Sequence, residues 1–305
     1  RSPLADQTGR PLMATFRAPA AQAAYIMKAL QGHHLRSVGT VRNYEQGLTR
    51  VAEWTQRERL PGGLRAMTPE LAIRYLEQRG QEVGQKALDM ERQAMQAMMQ
   101  HVTGQLAHGA RIPVIKSEQA QVLTARAYTA PQVALIAAAQ TPRHGLATEL
   151  AYAAGLRAHE LLTLRRGEDR AADPRPALAS KWQGRDGVMY TVHGKGGLVR
   201  EVLLPHALAE RLEAVRLDAP LAITDRGIHY QSHYDIGGGQ RWSNSVSAAS
   251  ERALGWSTGA HGLRHSYAQE RMAELQASLS RDAALTTVSQ EMGHFRPEIT
   301  ETYLR

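Results

Sequence analysis

The stretch Met292-Gly-His-Phe-Arg-Pro-Glu-Ile-Thr-Glu-Thr-Tyr-Leu-Arg305 places a histidine and a tyrosine nine residues apart. On one unbroken helix, nine steps of about 100° each put the two side chains on opposite faces, where they cannot share a site. Gly293, however, suits the position just past a helix end, and Pro297 followed by Glu298 suits the first turn of the next helix. The pattern therefore predicts a break that folds His294 back toward Tyr303.

Working outward, the 305 residues allow one large domain or two ordinary ones. The balance is basic, with 37 Lys+Arg against 29 Asp+Glu for a net charge of +8. The excess is concentrated at the front, where residues 1–125 carry 16 basic and 10 acidic side chains. Nucleic acid is the natural partner for such a surface, and a general arginine bias without an electrostatic target is the plain alternative. The absence of cysteine excludes disulfides, thiolate zinc sites and cysteine nucleophiles. No apolar run approaches the roughly 20 residues a membrane helix needs, and the polar, Pro-interrupted stretch Arg1 to Arg17 is unlike a signal peptide. A soluble, cytoplasmic protein with no membrane association is expected. Position 1 is Arg, so Met13 lies closer to a translation start.

Residues 1–15 read as a disordered lead-in by their Gly, Pro and polar content. Helical signals follow from Pro19 to Leu30. A second helix runs from Val41 to Glu58, capped by Ser37 or Thr40, with Val41, Tyr44, Leu48, Val51 and Trp54 at helical spacing. Thr68-Pro69-Glu70 starts a third through Arg79, and Lys86 to Val102 gives a fourth. Residues 16–105 thus read as a four-helix bundle in which Met90, Met95, Met98 and Met99 belong to core or interface. Residues 106–125 read as a linker, with the domain boundary near 126. Beyond it, Thr129 to Gln132 forms a capping box. Further helices are expected at Val133–Ala139, Leu146–Ala154, Ala207–Leu217, Asn244–Leu254, His261–Gln276 and Leu285–Met292. A β-hairpin turns at the glycine-rich His193–Gly197. His229–Trp242 contains Gly237–Gly239 but lacks the order of a phosphate loop, and reads as a plain loop. The fold class is mainly α with a small antiparallel β-sheet.

Four places in the second half can carry chemistry: Arg157 within Gly155–Leu161, Lys195 in the hairpin turn, His261 and Arg264 within His261–His265, and the terminal His294 with Tyr303. Singly, each has a dull reading: Arg157 with Glu160 as a surface i, i+3 pair, Lys195 as a solvated turn residue, His261 and Arg264 as helix-start and surface residues, Tyr303 as packing. Together they contain no paired carboxylates for magnesium, so a two-metal nuclease is poorly supported. A phosphodiester fits them better. Arginine forks bind non-bridging oxygens, lysine can protonate a leaving alkoxide, histidine can move a proton, and tyrosine can attack as a nucleophile.

In order and spacing these boxes resemble the tyrosine recombinases, or phage integrases, of the Cre and Xer types. Gly155-Leu-Arg-Ala-His-Glu-Leu161 stands for the first box, and Gly194-Lys-Gly196 with Arg200 and Pro205 for the hairpin. His261-Gly-Leu-Arg-His265 stands for the third box, and Met292-Gly-His294 with Tyr303 for the last. The resemblance covers residues 126–305 and implies a tyrosine-recombinase catalytic domain preceded by a SAM-like, helical core-binding domain at 16–105. Met292 replaces the usual leucine, the stretch Arg165 to Gln183 is longer and more polar than that family's pattern, and only Leu304 and Arg305 follow Tyr303. Many members carry a further helix there that packs into a neighbouring subunit, which leaves either a trimmed chain or coupling through other surfaces.

The resemblance further implies a site-specific recombinase or integrase of a mobile genetic element that joins DNA through a 3′-phosphotyrosyl link. Tyr303 would be the nucleophile, Arg157 and Arg264 the phosphate clamp, His294 a donor, Lys195 the general acid and His261 a proton-transfer partner. Glu160 and His265 would support them from behind. It implies no cofactor, double-stranded DNA with specific sites as partner, a homotetramer assembled on that DNA, and accessory DNA-bending proteins. Arg36, Arg42, Arg50, Lys86, Arg92 and Arg200 are the candidate DNA contacts. The rival readings are a type IB topoisomerase-like enzyme, a non-catalytic DNA-binding relative, and an unrelated basic helical protein.

Overall fold

The computed structural model describes residues 17–35, 38–121 and 123–305, and the side chains of Val38 and Lys195 lie outside that description. Two compact units divide between residues 122 and 123. The lead-in at 1–15 and the candidate contact Arg36 lie outside the described residues.

The first unit holds α1 (Pro19–Leu30), α2 (Val38–Arg57), α3 (Pro69–Gly80) and α4 (Gln85–Met98), the last running into one π-helical turn at Met99–Thr103. Thr68 caps α3 by accepting from the Leu71 N–H, and Pro69 occupies the first turn, where its missing N–H costs nothing. The helical-period residues Leu48, Val51 and Trp54 are buried against Ile26, Leu30, Tyr75 and Leu76. Met95, Met98 and Met99 fill the same core. One carboxylate is buried there: Glu91 accepts from Tyr75 Oη at 2.7 Å and from Arg79 Nε at 3.3 Å. Residues 106–119, within the segment read as a linker, form no helix or strand yet lie on this unit. Ile112 is buried, and Ser117 Oγ donates to the Val83 carbonyl at 2.6 Å.

The second unit begins with α5 (Ala130–Ala138), where the Gln132 side chain accepts from the Thr129 N–H at 2.9 Å. α6 (Pro142–Ala154) follows and ends on Gly155. A three-stranded antiparallel sheet is built from β1 (Arg165–Arg166), β2 (Val188–His193) and β3 (Val199–Leu204), in that order. Next come α7 (His206–Glu213) and a second hairpin of β4 (Arg216–Asp225) and β5 (Ile228–Tyr234). α8 (Gly239–Leu254), α9 (Gly262–Gln276), α10 (Arg281–Glu291) and α11 (Pro297–Glu301) complete the unit. Trp242 belongs to the core of this unit, fully buried, with its indole N–H donating to Thr148 Oγ1 at 3.1 Å.

Two sequence expectations are corrected here. His229–Trp242 is not a plain loop: its first six residues continue β5 and Gly239–Trp242 open α8. The helix expected to reach Leu217 stops at Glu213, because Arg216 already pairs with Tyr234. The turn between the strands, with Arg226 and Gly227 at φ 50° and 78°, is a primed hairpin turn. Most of β4 is exposed on both faces, so the period-two signal that marks a half-buried strand is absent. Trp242→Ala is expected to cost about 3–5 kcal/mol, read as a lower urea midpoint. An unchanged midpoint would remove this residue from the core.

Candidate active site

α6 ends where Gly155 turns left-handed at φ 58°, and a Cβ there would stand 2.8 Å from the Tyr267 ring. Only glycine fits both demands. The reversal brings the Arg157 N–H and guanidinium onto Glu160, each at 2.8 Å. This is no surface pair, since Glu160 is fully buried. Its carboxylate also receives Arg200, through Nε at 3.3 Å and NH2 at 2.7 Å, and lies 3.9 Å from the buried Arg264. Burial alone would raise the Glu160 pKa, but Arg200, Arg264 and Arg157 together hold it well below the usual carboxylate range.

The first turn of α9 carries His261 at its edge, Arg264 fully buried and His265 nearly so. Arg264 donates to the Gly155 carbonyl, to the Met292 carbonyl at 3.3 Å and to His294 Nε2 at 3.0 Å. Gly293, left-handed at φ 71°, ends α10 and lets the chain double back through α11. His294 and Tyr303 consequently stack, with ring centroids 5.1 Å apart and planes inclined by 25°. The break at Gly293 and Pro297 does what the spacing predicted. Around the Tyr303 ring also stand His265 at 4.9 Å, His261 at 5.2 Å and the Arg264 guanidinium at 5.4 Å. The main chain is tied down too, as the Tyr303 carbonyl accepts from His265 Nδ1 and Gln269 Nε2, both at 3.1 Å.

Three guanidiniums around a single carboxylate leave positive charge uncompensated. Desolvation, then Arg157, push Arg264 down to about 10. Loss of water and the neighbouring cations lower His294 to about 3 and His265 to about 4, and move His261 in the same direction. All three imidazoles are therefore neutral at pH 7. His294 Nε2 accepts from Arg264, so Nδ1 carries the proton toward Thr300 Oγ1 at 3.0 Å. The arrangement suits an anion that supplies the missing negative charge. Among the described residues no cluster of His, Asp and Glu has metal-binding geometry, and no helix is long and apolar enough to cross a membrane.

The structure thus brings Arg157, Glu160, His261, Arg264, His265, His294 and Tyr303 to one place. Lys195 begins the short turn Lys195–Gly197 between β2 and β3, and its side chain lies outside the described residues. Arg200, expected to contact DNA, is corrected: its side chain is 4% exposed and committed to Glu160 and the Glu291 carbonyl. In the first unit Arg42, Arg50 and Lys86 are exposed, Arg50 also pairing with Glu91 at 3.4 Å, whereas Arg92 is partly buried and pairs with Asp89 at 3.3 Å. Sequence reasoning missed a second buried pair. Arg271 reaches both Glu291 oxygens at 2.8 and 2.9 Å, and Tyr267 Oη donates to the same carboxylate at 2.8 Å. The available signal was an arginine on the apolar face of α9, in register with Arg264, Tyr267 and Leu275.

Because Glu160 is depressed in the folded chain, the stability it brings is complete above an unfolded pKa of about 4.3 and is lost as pH falls below that. Glu160→Gln is expected to cost about 3 kcal/mol at neutral pH, with the gap to the unmutated protein narrowing below about pH 4. Urea titrations of both proteins across that range test this, and a gap that does not change with pH would contradict it.

No protein-family model matches the chain, and no curated protein matches it by sequence. Solved structures do. The XerH site-specific recombinase bound to palindromic difH substrate, in a post-cleavage complex, aligns with a TM-score of 0.55 at 14% identity, covering 94% of this chain and 91% of that one. The Tn1549 transposon integrase in complex with transposon right-end DNA aligns at 0.54 and 13%, covering 95% of each chain. A lambda integrase(75–356) dimer bound to a COC′ core site aligns at 0.56 and 16%, covering 93% and 94%. Identities this low speak to architecture: the chain has the tyrosine-recombinase fold.

Proposed function

We propose that this protein is a site-specific DNA recombinase that cuts and rejoins strands through a 3′-phosphotyrosyl intermediate, needing neither metal nor ATP. The observation that carries the reading is the surplus of buried guanidinium charge beside Tyr303, whose ring is walled by Arg264 and three neutral histidines. A DNA phosphodiester supplies the missing charge. Arg157 and Arg264 take its non-bridging oxygens, and their pull grows as charge builds at phosphorus in the transition state. The Tyr303 oxygen attacks phosphorus, the bond to the 5′ oxygen breaks, and Lys195 delivers a proton to that oxygen. The phenolic proton passes to His261, whose basicity rises once the phosphate offsets the neighbouring arginines. Thr300 Oγ1 can donate as well as accept, so His294 can change tautomer and turn Nε2 into a phosphate donor. The phosphotyrosine keeps the bond energy, and attack by a 5′-hydroxyl reverses the step.

The folds it resembles add support, since the XerH, Tn1549 and lambda structures are DNA complexes, and one lambda integrase structure is a tetramer on a Holliday junction. We infer that paired sites and a DNA-assembled tetramer also apply here, with Arg42 and Lys86 among the phosphate contacts of a core-binding first unit.

The deciding experiment is covalent trapping in EDTA, with nicked duplexes that lose the cleaved fragment, beside Tyr303→Phe. An adduct formed only by the unmutated protein is expected. An adduct that persists in Tyr303→Phe, or one that needs magnesium, would sink the proposal. Relaxation of supercoiled DNA without any paired-site requirement would favour topoisomerase chemistry instead. Binding should also weaken with salt, with a log–log slope of about −0.9 for each phosphate contacted; a slope near zero would argue against a phosphate-tracking surface.

A further inference from the structure

Arg200 lies on β3, five residues after Lys195 on the same hairpin. Along β3 the buried positions alternate as Arg200, Val202 and Leu204, so the arginine points inward with the core residues and not toward solvent. Every donor nitrogen is used. Nε and NH2 grip the two Glu160 oxygens as a fork, while NH1 donates at 2.8 Å to the carbonyl of Glu291, the last residue of α10. A cation on that carbonyl also meets the negative end of the helix dipole. Just beyond it, Gly293 lies flush against the arginine stem, where a Cβ would come within 2.5 Å of Arg200 Cδ. The turn that presents His294 therefore rests on this side chain.

We propose that Arg200 is a positioning residue, which locks the hairpin bearing Lys195 to the turn bearing His294 while holding Glu160 in the orientation that aims Arg157. The proposal rests on the recombinase reading given above. One side chain thereby spans three chain segments that each deliver a member of the site, and with each nitrogen bonded inside the protein and the side chain 4% exposed it is turned away from DNA. Lysine cannot replace it, because one ammonium cannot supply both a planar fork and a third bond in the opposite direction. Removing it leaves Glu160 still paired with Arg157 and near Arg264, so the buried carboxylate is not stranded.

Full-length Arg200→Gln and Arg200→Lys proteins test this against three readouts: salt-dependent binding of the nicked duplex, the rate of adduct formation at saturating duplex, and the imidazole titration of His294 followed by NMR. Duplex affinity and salt slope are expected to stay unchanged, while the adduct rate falls about 10- to 100-fold in both variants. The His294 titration should shift upward in Arg200→Gln, since Arg200 is one of the cations, with Arg264 and Arg157, that lower it against the opposing effect of Glu160. A salt slope reduced by about one phosphate contact at an unchanged rate would make Arg200 a DNA ligand and overturn the proposal. A rate loss matched by a lower unfolding midpoint, with the His294 titration unmoved, would make it a purely structural residue and overturn it equally. Should Arg200→Gln fail to fold, Arg200→Lys, which keeps the charge, carries the rate and slope measurements. If the unmutated protein forms no adduct, the recombinase reading fails on its own account, and the His294 titration in Arg200→Lys, which keeps the charge, decides the positioning role: a shift supports it and an unmoved titration overturns it.

Discussion

One buried carboxylate organises the second unit. Glu160 is fully buried and receives two guanidiniums directly, with a third 3.9 Å away. A lone buried charge of either sign would cost several kcal/mol. Here each ion makes the burial of the others tolerable, and the positive excess stays unanswered inside the fold. That excess is a structural cost, and in the recombinase function proposed above a DNA phosphate is what would turn it into binding energy. Stability and function thus pull in opposite directions on the same atoms, as expected where a site is built ahead of its ligand.

The second constraint is backbone geometry at two glycines. Gly155 and Gly293 both adopt left-handed conformations, and both have a side chain pressed where a Cβ would be. Each ends a helix and reverses the chain within a residue or two, delivering first Arg157 and then His294 to the same centre. A helix cannot present residues nine apart on one face, but two short helices with a reversal between them can. The final segment is held as well as folded, by His265 and Gln269 on the Tyr303 carbonyl. Tyr303 is therefore anchored through its main chain, and its ring is left to contact the histidines.

Much of this was legible beforehand. The four boxes were legible through their resemblance to a known family, while the Gly293 and Pro297 break, the capping box at Thr129 and the methionine-rich core of the first unit rest on local signals of spacing, propensity or turn chemistry. The hairpin of β4 and β5 was not, because strands exposed on both faces carry no alternation. Arg200 was misread for a related reason. Its charge argued for the surface, yet its place in the alternation of β3 argued for the interior, and the second argument was the physical one.

By itself, the sequence determined which chemical groups are available and where the chain must reverse, because residue type and the conformational freedom of glycine and proline act locally. It also determined what is ruled out, thiolate chemistry above all, since the chain has no cysteine. Only the tertiary structure decided which of the many arginines face solvent and which are bound. Glu160, Arg200 and Glu291 meet from three distant segments, as do Tyr267, Arg271 and Glu291. Burial and charge pairing depend on neighbours that no local pattern specifies, so the same residue type is exposed at Arg42 and buried in a set of internal hydrogen bonds at Arg200.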